Sequence, residues 1–172
     1  MKFFFLFALL AMGLSCNTGK KKKTENADWS KNQSVSYHQE VNEREQLQIA
    51  LFLEHHKELK VQTSASGLRY YVYKTNPKGT QGEPGKIAST ILKVSLLSGK
   101  ICYETEKEYF DEIPIDHNDK ESGINEGLKL MRTGEKAKLI LPNHLAHGLL
   151  GDLANIPPLS IVVVDVELVE LR

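Results

Sequence analysis

Near the carboxyl end, two histidines stand three residues apart within the stretch Pro-Asn-His-Leu-Ala-His-Gly. Imidazole nitrogens can ligate a metal ion or donate a hydrogen bond to a bound group, so His144 and His147 are candidates for chemistry. Three-residue spacing suits one face of a helix, but the bounding Pro142 and Gly148 predict a loop. No cysteine or clustered acid completes a metal-binding set. We therefore expect no metal ion and no cofactor.

Two other classes of function lack support in the sequence. It contains neither the Gly-x-Ser-x-Gly turn of serine hydrolases nor a phosphate-binding Gly-x-x-x-x-Gly-Lys-Ser/Thr loop. Its 22 basic side chains are balanced by 22 acidic ones, whereas nucleic-acid binders carry a clustered basic excess. The single basic run, at 20–23, is typical of a solvated linker. We therefore expect no nucleic-acid partner.

Four short motifs follow one another at 134–139, 142–148, 156–158 and 164–168, with the sequences GEKAKL, PNHLAHG, IPP and VDVEL. Their order and spacing resemble the FKBP-type peptidyl-prolyl isomerases, and the resemblance covers roughly residues 65–172. It implies a twisted antiparallel sheet that curls around one short helix. It also implies an enzyme that rotates Xaa-Pro peptide bonds in proline-containing polypeptide segments.

Rotation of an Xaa-Pro bond has a barrier of about 18–20 kcal/mol because amide resonance must be lost. No covalent step is required. A catalyst needs an apolar cup for the proline ring, exclusion of water and donors that hold the peptide in its twisted geometry.

The resemblance assigns pocket positions to this chain. It implies a substrate cup formed by Leu92, Cys102, Ile124, Ile156 and Val164. It implies catalytic positions at Tyr103, Glu121 and His147. The family has aromatic side chains at several of the cup positions, and it has an acid where this chain has Tyr103. The backbone N–H that the family uses at position 121 is retained by any residue except proline.

These substitutions favour a weak or substrate-restricted isomerase. With the export signal described below, we expect it to assist the folding of envelope proteins. The smaller cup residues bury less of a proline ring, and Glu121 adds a charge near the rim. The alternative is a catalytically inactive binding, chaperone or scaffold module of the cell envelope.

The hydrophobic periodicity agrees with an α+β class. Alternation and β-branched residues predict about five strands, at 68–73, 87–97, 100–103, 136–141 and 162–168, and we interpret 104–120 as mostly loop. Ile124, Leu128 and Met131 share one face of a short helix. Because no βαβ rhythm occurs, the strands predict an antiparallel sheet. We assign the isomerase-like domain to 63–172.

The amino terminus predicts export. Lys2 precedes an apolar run at 3–14 that is too short to span a bilayer, as expected of a secretory signal. The run ends at Gly-Leu-Ser-Cys, which resembles a bacterial lipobox, so we predict a signal peptide at 1–15 and lipidation of Cys16. The polar segment 16–40 predicts a disordered tether. The chain would face the periplasm as a lipoprotein, on the outer membrane, and resembles gliding-motility-associated lipoproteins of Bacteroidetes.

The segment 41–62 predicts an N-terminal helix. It has an apolar side that includes Leu47, Leu51 and Phe52, and its acidic residues lie near the start and its lysines near the end. An isolated helix of this length is marginal in water, so the apolar side must pack on something. Either the helix packs on its own domain, or it packs on a second copy and forms a homodimer.

Overall fold

The computed structural model describes residues 31–117 and 122–172. These residues form two α-helices, α1 (Lys31–His55) and α2 (Ser122–Lys129), and one 3-10 turn, Asn143–Leu145. The strands are β1 (Gln62–Thr63), β2 (Arg69–Lys74), β3 (Ile87–Leu96), β4 (Ile101–Glu104), β5 (Asp111–Pro114), β6 (Lys136–Leu141) and β7 (Val162–Leu171). The predicted α+β class is confirmed.

All strand pairs in the sheet are antiparallel, and the strand order is β1-β2-β6-β7-β3-β4, with β5 pairing with β3. The described residues form seven strands, where about five were predicted. The strand β1 has only two residues, and β5 lies in the charged stretch that we interpreted as loop. That stretch has no clear period of two, so only its pairing with Ile87–Thr90 of β3 makes it a strand.

Alternation along β7 separates two cores. Val162, Val164, Val166 and Leu168 are buried in the main core, which α2 covers through Ile124 and Leu128. On the other face of the same strand, Val163 joins Ile140 and Ile161 in a second cluster. Both faces of the sheet centre therefore contribute to a core, because successive side chains of β7 point to opposite faces.

The second cluster receives α1. Ile49 is 1% exposed and packs against Ile140 and Val163, with Phe52 at the edge. Leu47, which we expected on the buried side, remains 60% exposed. The helix thus packs on its own sheet, and its buried face is centred on a residue outside the predicted set.

The predicted bounds of this helix, 41–62, are wrong. It begins by residue 31, inside the segment 16–40 predicted as a tether, because 31–40 contains no glycine or proline and a Glu40–Arg44 ion pair of 2.8 Å supports the next turn. It ends at His55. Backbone hydrogen bonds in the turns that follow place Val61 against the second cluster. The signal segment, Cys16 and the rest of the predicted tether lie outside the described residues.

Within 31–117 and 122–172, no helix is long and apolar enough to cross a bilayer.

Candidate active site

A cavity of about 350 Å³ opens between α2, the sheet and the loop that follows β6. Most of its lining residues are aliphatic. The polar ones are half-buried or exposed, and we call the part of the cavity that they line the mouth: Tyr103, Asp111, Glu112, His147 and Asp152. The lining residues are Leu92, Val94, Tyr103, Asp111, Glu112, Ile113, Ile124, Leu141, Ala146, His147, Asp152, Ile156, Val162 and Val164.

The floor is set by the close approach of α2 to β6. Gly123 and Gly127 lie four residues apart, and a Cβ on either would stand within 2.6 Å of Leu141 or Leu139 side-chain carbons. A Cβ at position 123 would also stand 2.8 Å from the Leu145 carbonyl oxygen, so glycine permits the approach there, and a Cβ at position 127 would force the Leu139 side chain to move. The packing directs Ile124, between the two glycines, into the cavity, where it is 4% exposed.

Two central strands complete the floor. Val164 of β7 is opposite Val94 of β3 in the register, and both line the cavity. Leu92 follows the same alternation two residues earlier on β3. These positions are fixed by strand pairing, so the floor is a rigid apolar surface.

One wall is the loop 146–156, which Asp152 organises. Its Oδ1 atom accepts hydrogen bonds from three successive backbone N–H groups, those of Ala154 (2.9 Å), Asn155 (2.8 Å) and Ile156 (2.7 Å). The Asp152 N–H donates to the Ile156 carbonyl at 3.1 Å, which closes the loop. Ile156 is thereby turned into the cavity and is 5% exposed.

The same bonds lower the pKa of the Asp152 carboxyl below its usual 3.8, chiefly through the N–H groups of Ile156 and Ala154, with a smaller contribution from the charge of His147. The carboxylate is therefore ionised across the neutral range. His147 and Asp152 both line the cavity, so this wall combines an imidazole with a fixed negative charge.

The part of the lining formed by β4 and β5 carries a second polar network. The Tyr103 hydroxyl donates to Asp111 Oδ1 at 2.5 Å, and the Thr105 hydroxyl donates to the other oxygen of the same carboxylate. Thr105 Oγ1 in turn accepts the N–H of Leu92 at 2.7 Å. The hydrogen bond to Asp111 and, to a lesser degree, burial raise the pKa of Tyr103, so its phenol stays protonated.

Six of the predicted site residues line this one cavity: Leu92, Tyr103, Ile124, His147, Ile156 and Val164. Cys102 does not. Val94 pairs with Tyr103 and Ser95 with Ile101, so a bulge leaves Cys102 between the two registers. Its side chain is half-buried at the edge of the core, with Sγ 3.6 Å from the Asn155 carbonyl oxygen. Glu121 lies outside the described residues.

Several lining residues escaped the sequence prediction. Val94, Leu141 and Val162 follow from alternation, because each is two residues from a predicted or buried position on its strand. Asp111 and Asp152 had no comparable local signal. Each acquires its place from partners across a loop, and single aspartates in polar segments are ordinary.

Comparison with known proteins gives this pocket a family. The family described as FKBP-type peptidyl-prolyl cis-trans isomerase matches residues 78–169. The FKBP-type peptidyl-prolyl cis-trans isomerase FkpA of Escherichia coli (strain K12) is 36% identical over 121 residues, which are 67% of this chain and 42% of that protein. The peptidyl-prolyl cis-trans isomerase FKBP15-3 of Arabidopsis thaliana is 35% identical over 98 residues, 56% of this chain and 68% of that protein.

A solved structure agrees with these sequence matches. The crystal structure of FkpA from Escherichia coli superposes with a TM-score of 0.60 and 28% identity, covering 82% of this chain and 67% of that one. The chain spans less than half the length of its curated relative FkpA. Because the family match covers more than half of the residues and includes most of the cavity wall, this chain belongs to the FKBP-type peptidyl-prolyl cis-trans isomerase family.

Proposed function

We propose that the chain is a peptidyl-prolyl cis-trans isomerase that acts on proline-containing polypeptide segments. The observation that carries this proposal is the cavity of about 350 Å³, which has aliphatic walls at its base and His147 and Tyr103 at its mouth. A proline ring with its neighbouring peptide group fits a hollow of this size and polarity.

The mechanism needs no covalent intermediate. Leu92, Ile124 and Val164 would take the ring out of water, which favours the less polar, twisted amide over its solvated planar form. At the mouth, the His147 imidazole would donate a hydrogen bond to the peptide. Tyr103 already donates to Asp111, so its role would be to hold that carboxylate at the rim.

The rate should be low or restricted to certain substrates. An aromatic side chain contributes about 150–250 Å² of buried surface, and this cup has aliphatic residues at positions where the family has aromatics. At about 25 cal/mol per Å², the loss of such contacts lowers binding of the twisted peptide by a few kcal/mol. Each 1.4 kcal/mol corresponds to about a tenfold change in rate.

Substitution of His147 tests the proposal. His147→Phe should lower kcat/KM for an Xaa-Pro tetrapeptide while peptide binding, measured by NMR titration, persists. His144→Phe is the matched control, because His144 lies three residues away and its Nε2 atom contacts the Ser66 carbonyl oxygen rather than the cavity. Equal kinetics of all three proteins would argue against a catalytic role for His147.

The second candidate is a catalytically inactive FKBP-like binding, chaperone or scaffold module. It is favoured by one observation: among described residues, Tyr103 is the only phenylalanine, tyrosine or tryptophan that lines the cavity. Under this alternative, the wild-type chain binds an Xaa-Pro peptide and leaves its isomerisation rate unchanged.

We further propose that the chain is exported, processed at Cys16 and anchored by lipid in the outer membrane, where it assists the folding of envelope proteins. The support is the signal-like segment at 1–15, and the motif EGLKLM at 126–131 resembles gliding-motility-associated lipoproteins of Bacteroidetes. Palmitate labelling of wild type but not of Cys16→Ser, in the outer-membrane fraction, is the expected result. The resemblance further suggests a role in gliding motility, which loss of surface spreading in a deletion strain would support.

A homodimer through α1 is a separate proposal. Leu47 and Leu51 lie one turn apart and are 60% and 48% exposed, beside an open groove that Phe52 and Leu97 line. A second copy of the helix could cover this surface. Light scattering should then give twice the chain mass, and Leu47→Lys should return it to the monomer value; one mass at all concentrations contradicts the dimer.

A further inference from the structure

The helix α1 buries a carboxylate against the loop that leads into the pocket. Glu45 is only 4% exposed, and it lies one helical turn before the buried Ile49 on the same face. A buried carboxylate is unfavourable unless hydrogen bonds compensate for lost hydration. Its position in α1, outside the pocket, calls for an explanation in terms of what it binds.

Both hydrogen bonds that the Glu45 carboxylate accepts come from one residue. Glu45 Oε1 accepts the backbone N–H of Asn143 at 2.5 Å and the Asn143 side-chain Nδ2 at 2.9 Å. Asn143 begins the 3-10 turn, and the preceding residue, Pro142, makes no side-chain capping bond. The Glu45 carboxylate on α1 therefore caps the first N–H group of a 3-10 turn that is distant in sequence.

The capped turn holds the pocket histidine. The Asn143 carbonyl oxygen accepts the N–H of Ala146 at 3.1 Å and the N–H of Gly148 at 2.8 Å. Those two residues flank His147, which lines the cavity. A continuous set of hydrogen bonds thus runs from α1 through Asn143 to both neighbours of His147.

We propose that Glu45 is a positioning residue for the isomerase site, through which α1 fixes the turn that carries His147. This inference rests on the proposed function for its catalytic reading. Without the Glu45 acceptor, the Asn143 N–H loses its capping partner, and the segment 143–148 can shift relative to the floor. Misplacement of a group near the reacting bond by about 1 Å can lower a rate by up to 100-fold.

The neighbouring residue supplies a matched control. Gln46 also ties α1 to the domain, because its Oε1 atom accepts a hydrogen bond of 2.6 Å from Arg69 Nη2. That bond leads to β2 rather than to Asn143. Loss of the Gln46 bond loosens the same helix without touching the turn that carries His147.

The experiment compares Glu45→Met, Glu45→Gln and Gln46→Met in the full-length chain. Methionine has about the same length as glutamate without an oxygen acceptor, whereas glutamine keeps one. We expect Glu45→Met to lower kcat/KM on the order of tenfold, with Glu45→Gln and Gln46→Met within about twofold of wild type. The free energy of unfolding, measured by urea titration, should change similarly for the two methionine variants.

Rescue by glutamine separates positioning from general destabilisation. The inference is overturned if Glu45→Met leaves kcat/KM unchanged, or if Glu45→Met and Gln46→Met lower it equally. Should Glu45→Met not fold, Asn143→Ala, which removes only the side-chain bond, is expected to lower kcat/KM about two- to threefold. No loss in that variant also overturns the inference.

The NMR resonances of His147 give a second readout that does not depend on catalysis. The imidazole resonances of His147 should move in Glu45→Met and stay in place in Gln46→Met. If wild type shows no isomerase activity, the proposed function fails while the resonances still test the link from Glu45 to His147. Unmoved His147 resonances in Glu45→Met contradict that link whatever the activity.

Discussion

The floor of the pocket consists of aliphatic side chains on α2 and the central strands, whereas its polar lining comes from the short strands β4 and β5 and from the loop 146–156. Ile124 and Val164 are buried by the packing of α2 and β7, and each belongs to the main core. Asp111 and Asp152 are held by hydrogen bonds across β5 and the loop 146–156. The floor therefore depends on hydrophobic burial and the mouth on local polar networks, so the two should fail in different ways.

The largest effect on stability is expected at a core residue that does not line the cavity, and the largest effect on peptide binding at one that does. Leu128→Ala, at a fully buried position of α2, should lower the free energy of unfolding by about 2–5 kcal/mol. Ile124→Ala, one turn earlier, should cost less stability because Ile124 already faces a cavity. It should instead weaken peptide binding by about tenfold through lost apolar contact. Urea unfolding and peptide titration measure the two quantities, and proportional changes in both variants would contradict the distinction.

At the mouth, Asp152→Ala should lower kcat/KM on the order of tenfold, because three backbone N–H groups lose their acceptor and Ile156 is released from the wall. Asp152→Asn keeps an oxygen acceptor at the same place and should retain most of the activity. Equal loss in both variants would show that the charge, rather than the loop geometry, is what matters.

A smaller effect is expected at the network of Tyr103 and Asp111. Tyr103→Phe removes one of two hydroxyl donors to Asp111, and Thr105 keeps the other, so kcat/KM should fall about two- to fivefold. Tyr109→Phe is the control, since Tyr109 is 68% exposed and does not line the cavity. Because the pKa of Tyr103 is raised above the usual 10.0, any loss of wild-type activity from ionisation of this phenol should be centred above pH 10 in a pH–rate profile.

The smallest effect should appear only in acid. The pKa of Asp152 is lowered on folding, so its contribution to stability is present above the unfolded value of about 3.8. That contribution is lost as the pH falls through the lower, folded value. Amide resonances of Asn155 and Ile156 should therefore titrate with a midpoint below 3.8, and Asp152→Asn should abolish the transition. A midpoint above 3.8 contradicts the anchoring role.

Much of the floor could be predicted from the sequence, since period-two alternation on β7 assigns Val164 to the buried face. The positions of Cys102 and Asp152 were harder to predict from the sequence. Cys102 lies in a bulge, and a bulge shifts the direction of a side chain without leaving a pattern in the sequence. The role of Asp152 could not be predicted without knowing how a loop of eleven residues, 146–156, closes on itself.

The N-terminal helix shows the same limit at larger scale. Its existence followed from the apolar side and the charge placement within 41–62. Its first residue did not follow, because residues 31–40 have no apolar stripe that would mark them as helical. Its docking through Ile49 and Glu45 is set by partners on β6 and Asn143 that lie far along the chain.

The most direct test of the account is an NMR exchange experiment on an Xaa-Pro peptide mixed with residues 31–172. Catalysis predicts that cis–trans exchange cross-peaks grow with protein concentration, while the methyl resonances of Ile124, Ile156 and Val164 shift on peptide addition. Methyl shifts without faster exchange would contradict the enzyme and leave a binding module. If neither the methyl resonances nor the exchange rate changed, the pocket would not be a prolyl site.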